Sequence, residues 1–149
     1  MPELRKDPVV DRWVIIAAER GARPDDFSVE AETPTNGFCP FCPGNEDKTP
    51  PEVAQWGRAT DALANTPGWQ VRVVPNKFPA LSSLGEVQRQ GLGMFDMMSG
   101  IGAHEVVIES PEHNWDFADA TPEQTQLIIG AYIERMRALR EDPRFEYTI

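Results

Sequence analysis

The chain has 149 residues, with 14 Lys and Arg against 24 Asp and Glu, and a formal net charge of −10 at pH 7. That balance argues against a general nucleic-acid binder, whose affinity rests on a basic surface, but a few local cations suffice for a small phosphorylated ligand. Hydrophobic residues make up 40% of the chain, enough for one domain with a core, and no apolar run approaches the roughly 20 residues that span a bilayer.

The first predicted element is Trp13-Val14-Ile15-Ile16, a compact apolar run between Asp11-Arg12 and Glu19-Arg20 that reads as a buried strand. Residues 21–36 are rich in Gly, Pro, Asp and Thr and read as loop. Cys39-Pro40-Phe41-Cys42 follows in a turn that runs into Pro43-Gly44, and these two cysteines are the only ones in the chain. Two thiolates at this spacing can hold one soft metal ion from a single knuckle, each at about 2.3 Å. A redox dithiol wants its second cysteine in a helix, which Pro43-Gly44 disfavours, and a disulfide would close a tiny loop. Metal binding, a redox pair and inert thiols stay open at this point, with metal preferred. A tetrahedral site needs further ligands, and the chain offers two histidines, His104 and His113.

Residues 44–68 are polar with scattered prolines and hold one candidate strand, near Val53–Trp56. Trp69–Val74 alternates with period two and is a predicted strand ended by Pro75. Residues 82–102 contain five glycines and three methionines and are expected to form a mobile loop. His104–Glu109 is the clearest strand, with His104, Val106 and Ile108 on one face and Glu105, Val107 and Glu109 on the other. Ser110-Pro111 stops it.

One long covering helix is expected over about 121–141. Thr121 is its N-cap, Pro122 suits the first helical position, and Gln124 would complete a capping box. Leu127, Ile128, Ala131, Tyr132, Met136 and Leu139 form an apolar stripe that should pack on a sheet. Arg135, Arg137 and Arg140 load the final turns, where cations complement the macrodipole. Phe145–Ile149 looks like the first half of a strand, so the chain is expected to be the front part of a longer protein. Short strands with one covering helix give an α+β fold class. With no recognisable leader and two unpaired thiols, the expected compartment is the cytoplasm.

Four blocks, in order, carry a resemblance: Asp7-Pro8 through Arg20-Gly21-Ala22-Arg23-Pro24; Cys39-Pro40-Phe41-Cys42-Pro43-Gly44-Asn45; Val71 through Asn76-Lys77-Phe78-Pro79-Ala80-Leu81; and Gly102-Ala103-His104 through His113. Together the chain resembles the N-terminal portion of the galactose-1-phosphate uridylyltransferase family, within the histidine-triad-like superfamily. The resemblance implies an antiparallel half-barrel sheet and a structural zinc, with iron as the alternative, on Cys39, Cys42 and His113. A further histidine ligand and the nucleophile would lie in a His-Pro-His segment beyond residue 149. It implies that Arg20 and Arg23 reach substrate phosphates and that Asn76, Lys77 and Phe78 contact the nucleotide. Well-known bacterial members carry Asp where this chain has Lys77. A lysine accepts no hydrogen bond from a ribose hydroxyl, so a phosphate contact replaces a ribose contact in this expectation.

The implied activity moves UMP from UDP-glucose to galactose 1-phosphate by a ping-pong route through a uridylyl-histidine, in a cytoplasmic homodimer with no nucleic-acid or membrane partner. Without the nucleophile, residues 1–149 are expected to be inactive alone. The alternatives are an ADP-glucose phosphorylase of the same family and a non-catalytic zinc-knuckle interaction module. His104 is expected to be a packed, hydrogen-bonded histidine rather than a ligand.

Overall fold

The computed structural model describes residues 1–22 and 37–149. In chain order the strands are β1 (Glu3–Lys6), β2 (Trp13–Ile16), β3 (Ala54–Trp56), β4 (Val71–Pro75), β5 (Arg89–Leu92), β6 (Phe95–Ser99) and β7 (Glu105–Ile108), and the helix α1 is Pro122–Leu139. The architecture is α+β, with two antiparallel sheets and one long helix. The chain divides into two compact units: residues 1–25, 78–104 and 139–149, and residues 26–77 and 105–138.

The first unit holds a four-stranded sheet in the order β2-β1-β6-β5. β2 forms as the sequence predicts, pairing Val14 with Arg5 and Ile15 with Leu4. Its burial does not. Trp13, Val14, Ile15 and Ile16 are 37–41% exposed, because β2 is an edge strand with a ladder on one side only. Residues 82–102, expected as a mobile loop, contain a β-hairpin. β5 and β6 pair from Arg89↔Met98 to Leu92↔Phe95 around a two-residue turn. Gly93 takes the first central position with φ +62°, the left-handed conformation a primed hairpin turn requires. The glycines that suggested mobility are in part turn chemistry. Phe145–Ile149 makes no ladder pairing among the described residues, so the strand expected there is absent.

The second unit holds the three-stranded sheet β3-β4-β7. β4 is central and buried on both faces, as a strand flanked on both sides and covered above and below must be. Val71 packs under α1 with Ile128 and Ala131, joined by Val107 of β7. On the opposite face Val74 packs with Trp69 and Ile108. The predicted split of β7 into two faces holds, and its Glu105/Val107/Glu109 face addresses α1. Glu105 takes two hydrogen bonds from Arg135, at 2.9 and 2.7 Å, and Glu109 accepts the Tyr132 hydroxyl. Arg135 is therefore a strand–helix tie rather than a free cation on the helix end.

α1 starts as predicted, with Thr121 Oγ1 accepting the Gln124 N–H at 3.2 Å. The capping box is only half formed, because the Gln124 side chain donates to the Glu109 carbonyl instead of returning to the cap. The helix ends at Leu139, two residues short of the expected bound.

Sequence reading missed a buried ionic network in this unit. Arg72, flanked by valines in β4, is 1% exposed. Its Nε donates to Glu52 at 2.9 Å, and its other nitrogens reach Thr49, Asn65 and the Glu46 carbonyl. Arg58 is bidentate to the same Glu52 carboxylate, at 2.5 and 2.9 Å. Arg58, Asn65 and Arg72 together hold the Glu52 carboxyl down at about 2, with Arg58 the largest cause.

Removing one partner of such a pair leaves an uncompensated buried charge. Glu52→Gln should lower the unfolding free energy by about 3–5 kcal/mol, read by urea denaturation at neutral pH. Because the folded carboxyl titrates near 2 against an ordinary value of 4.5, its stabilisation is complete above about pH 5 and is lost as pH falls toward 2. Acid unfolding of the wild type should therefore steepen in that window, and the slope should flatten in Glu52→Gln.

Candidate metal centre

The knuckle forms by backbone closure. The Cys42 N–H reaches back to the Cys39 carbonyl at 3.4 Å, and the Asn45 N–H donates to the Cys42 carbonyl at 3.1 Å. Asn45 also bonds the Cys39 carbonyl through Nδ2 at 2.7 Å. Gly44 sits between at φ +91°, a conformation that strains any residue with a Cβ. Cys42 thus lies in a turn and not in a helix, which removes the geometry that favours a redox dithiol. Both thiols are free and half-buried.

The third member arrives from β7. Five residues beyond its last residue, Ile108, the chain presents His113, whose Nδ1 lies 3.3 Å from Cys42 Sγ across 71 positions of sequence. One ligand atom from each of Cys39, Cys42 and His113 falls within 4.8 Å of the others. Metal–sulfur bonds of about 2.3 Å and metal–nitrogen bonds of about 2.0–2.1 Å give a tetrahedral sulfur–nitrogen edge of about 3.6 Å, close to the observed contact. The donor set, two sulfurs and one imidazole, suits a soft ion such as zinc. Burial pushes the Cys42 thiol above its ordinary range, and hydrogen bonding to the Cys39 thiol and that group's charge add to the shift. The three residues line a shallow cavity of about 450 Å³ with Val107, Glu109 and Trp115.

The segment that carries His113 is tied to α1 at its root. Glu109 is held through its carbonyl by Gln124 and through its carboxylate by Tyr132. Burial and that carboxylate raise the Tyr132 hydroxyl to about 12.

Residues 1–149 match the family model described as "Galactose-1-phosphate uridyl transferase, N-terminal domain". The chain belongs to this family. The ADP-glucose phosphorylase of Arabidopsis thaliana is 38% identical over 151 residues, which cover 98% of this chain and 41% of that protein. The crystal structure of the Arabidopsis enzyme with bound ADP-glucose aligns with a TM-score of 0.57 and 34% identity, covering 99% of this chain and 41% of that one. A galactose-1-phosphate uridylyltransferase of Thermotoga maritima is 24% identical over 148 residues, 99% of this chain and 39% of that protein. The chain therefore spans about two-fifths of the length of these relatives.

The remaining residues singled out in the uridyl transferase-like sequence are placed as follows. Arg20 lies half-buried in a short 3-10 turn, Ala18–Ala22, in the first unit. Arg23 lies outside the described residues. Asn76 and Lys77 follow β4 directly, with Asn76 half-buried and Lys77 exposed. Phe78 is half-buried and belongs to the first unit. His104 Nδ1 accepts the Ala80 N–H at 3.0 Å, so it is a hydrogen-bonded histidine and not part of the Cys39, Cys42, His113 group. Among the described residues, no helix is long and apolar enough to cross a membrane.

The anchor beneath His113 can be read directly. In an alkaline titration followed near 295 nm, one tyrosine should ionise only at about pH 12. Tyr132→Phe should abolish that late step.

Proposed function

We propose that this chain is the N-terminal domain of a nucleotide-sugar nucleotidyltransferase, with a structural zinc on Cys39, Cys42 and His113 and ADP-glucose as the donor. The family supplies the reaction class. The observation that carries the donor is the 38% identity to ADP-glucose phosphorylase along 98% of the chain. Lys77 supports departure from the uridylyl pattern, because an ammonium donates and cannot accept from a ribose hydroxyl. UDP-glucose with galactose 1-phosphate as acceptor is the second reading, supported by the family model and by the Thermotoga relative.

In this reading Arg20 and Arg23 bind substrate phosphates, for which a planar guanidinium offers paired donors. The family resemblance assigns nucleotide contacts to Asn76, Lys77 and Phe78. Cys39, Cys42 and His113 would hold the zinc, which would supply a structural cross-link between the knuckle and the His113 segment. A covalent nucleotidyl-histidine divides the transfer into two displacements. Its nucleophile is expected in the His-Pro-His segment that the family resemblance implies, since the chain's two histidines are otherwise engaged: His104 accepts a backbone N–H and His113 faces the knuckle.

Calorimetric titration of the 149-residue chain should show ADP-glucose binding at least several-fold tighter than UDP-glucose, weakened by Arg20→Ala. Donor labelled at the α-phosphorus should leave no covalent label. Tighter UDP-glucose binding would favour the uridylyl reading. Affinity for neither, in a folded and metal-loaded chain, would favour an interaction module.

A further inference from the structure

We propose that Glu46 is a positioning residue of the metal centre, joining the cysteine turn to the strand core beneath it; this rests on the reading of Cys39, Cys42 and His113 as a metal site. Glu46 is 5% exposed and holds one N–H donor on each carboxylate oxygen, the Trp69 indole buried and the Gly44 amide in the exposed turn. Oε2 accepts the Gly44 N–H at 2.9 Å, two residues beyond Cys42. Oε1 accepts the Trp69 indole N–H, also at 2.9 Å. Trp69 is 2% exposed and packs with Val74 and Ile108. Ile108 is the last residue of β7, the strand that delivers His113. One carboxylate thus refers the cysteine side of the centre to the same core cluster that fixes the histidine side.

A carboxylate is a costly way to fill buried space, and an apolar side chain would cost less. Two convergent N–H donors explain it, because an ionised carboxylate accepts at both oxygens whereas a glutamine accepts at one and presents N–H groups at the other. Asn45 completes the hold by taking the carbonyls of Cys39 and Cys42. With Glu46 held by Trp69, the turn cannot shift without breaking the Gly44–Glu46 hydrogen bond. Without it, the thiols must be ordered by the ion itself, at the ion's expense in affinity.

The test uses the intact 149-residue chain, stripped of metal and titrated with Co²⁺, with chelator competition for affinity. Wild type should show a thiolate-to-cobalt charge-transfer band and tetrahedral d–d absorption. Glu46→Gln should bind Co²⁺ roughly 10–100-fold more weakly, with altered d–d bands at saturation and unchanged far-UV dichroism. Trp69→Phe, which leaves Glu46 on Gly44 but removes its anchor, should weaken binding as well. The two losses should not add, since both break one link. Asp47→Asn, at the exposed neighbouring position, should change nothing. A Glu46→Gln affinity within twofold of wild type, an unchanged Trp69→Phe, or fully additive losses would overturn the assignment while the metal reading stands. A wild type with no thiolate band would overturn the metal reading, and this one with it.

Discussion

The three-stranded sheet of the second unit depends on β4 lying between β3 and β7 with both faces covered. That constraint explains most of what surrounds it. A strand buried on both faces cannot keep a charge unless the charge is paired, so Arg72 requires Glu52, and Glu52 in turn draws in Arg58 and Asn65. The polar segment between the knuckle and β4 is organised around these contacts rather than around an apolar core of its own. The pairing of Val73 with Val107 then sets where β7 ends, and so where His113 emerges.

The Cys39, Cys42 and His113 cluster follows from this frame. The knuckle is local, closed by its own backbone and by Asn45. The histidine is not local, and its approach to Cys42 is a product of strand register, the Trp69–Ile108 packing and the ties between Glu109 and α1. In a site assembled this way the three donors lie within 4.8 Å of one another. An ion that binds them cross-links segments that already meet, which is the role of a structural zinc.

Much of this was legible in the sequence where one residue type has few physical uses. Cys-Pro-Phe-Cys before Pro-Gly announced a turn with two convergent thiols, and Thr121-Pro122 announced a helix start. Alternation in residues 104–109 gave both faces of β7 correctly. The errors have physical causes. An apolar run such as Trp13–Ile16 reports β propensity but not whether a second strand or a helix covers it, so an edge strand read as a buried one. Five glycines between 82 and 102 looked like mobility, although Gly93 serves a hairpin turn. The Glu46–Trp69 contact and the Glu52 contacts with Arg58 and Arg72 lie 6 to 23 positions apart in sequence and leave no periodic signal. The one available clue was Arg72 itself, a charge inside a valine strand, which demanded a buried acid nearby.

The measurement that bears most directly on the account is zinc K-edge X-ray absorption on the folded, zinc-loaded chain. Two sulfur scatterers at about 2.3 Å with at least one imidazole in the same shell is the expected spectrum, and the sulfur contribution should be lost in a Cys39→Ser/Cys42→Ser variant. A first shell of oxygen and nitrogen alone, or zinc that washes away from wild-type protein under mild chelation, would contradict it.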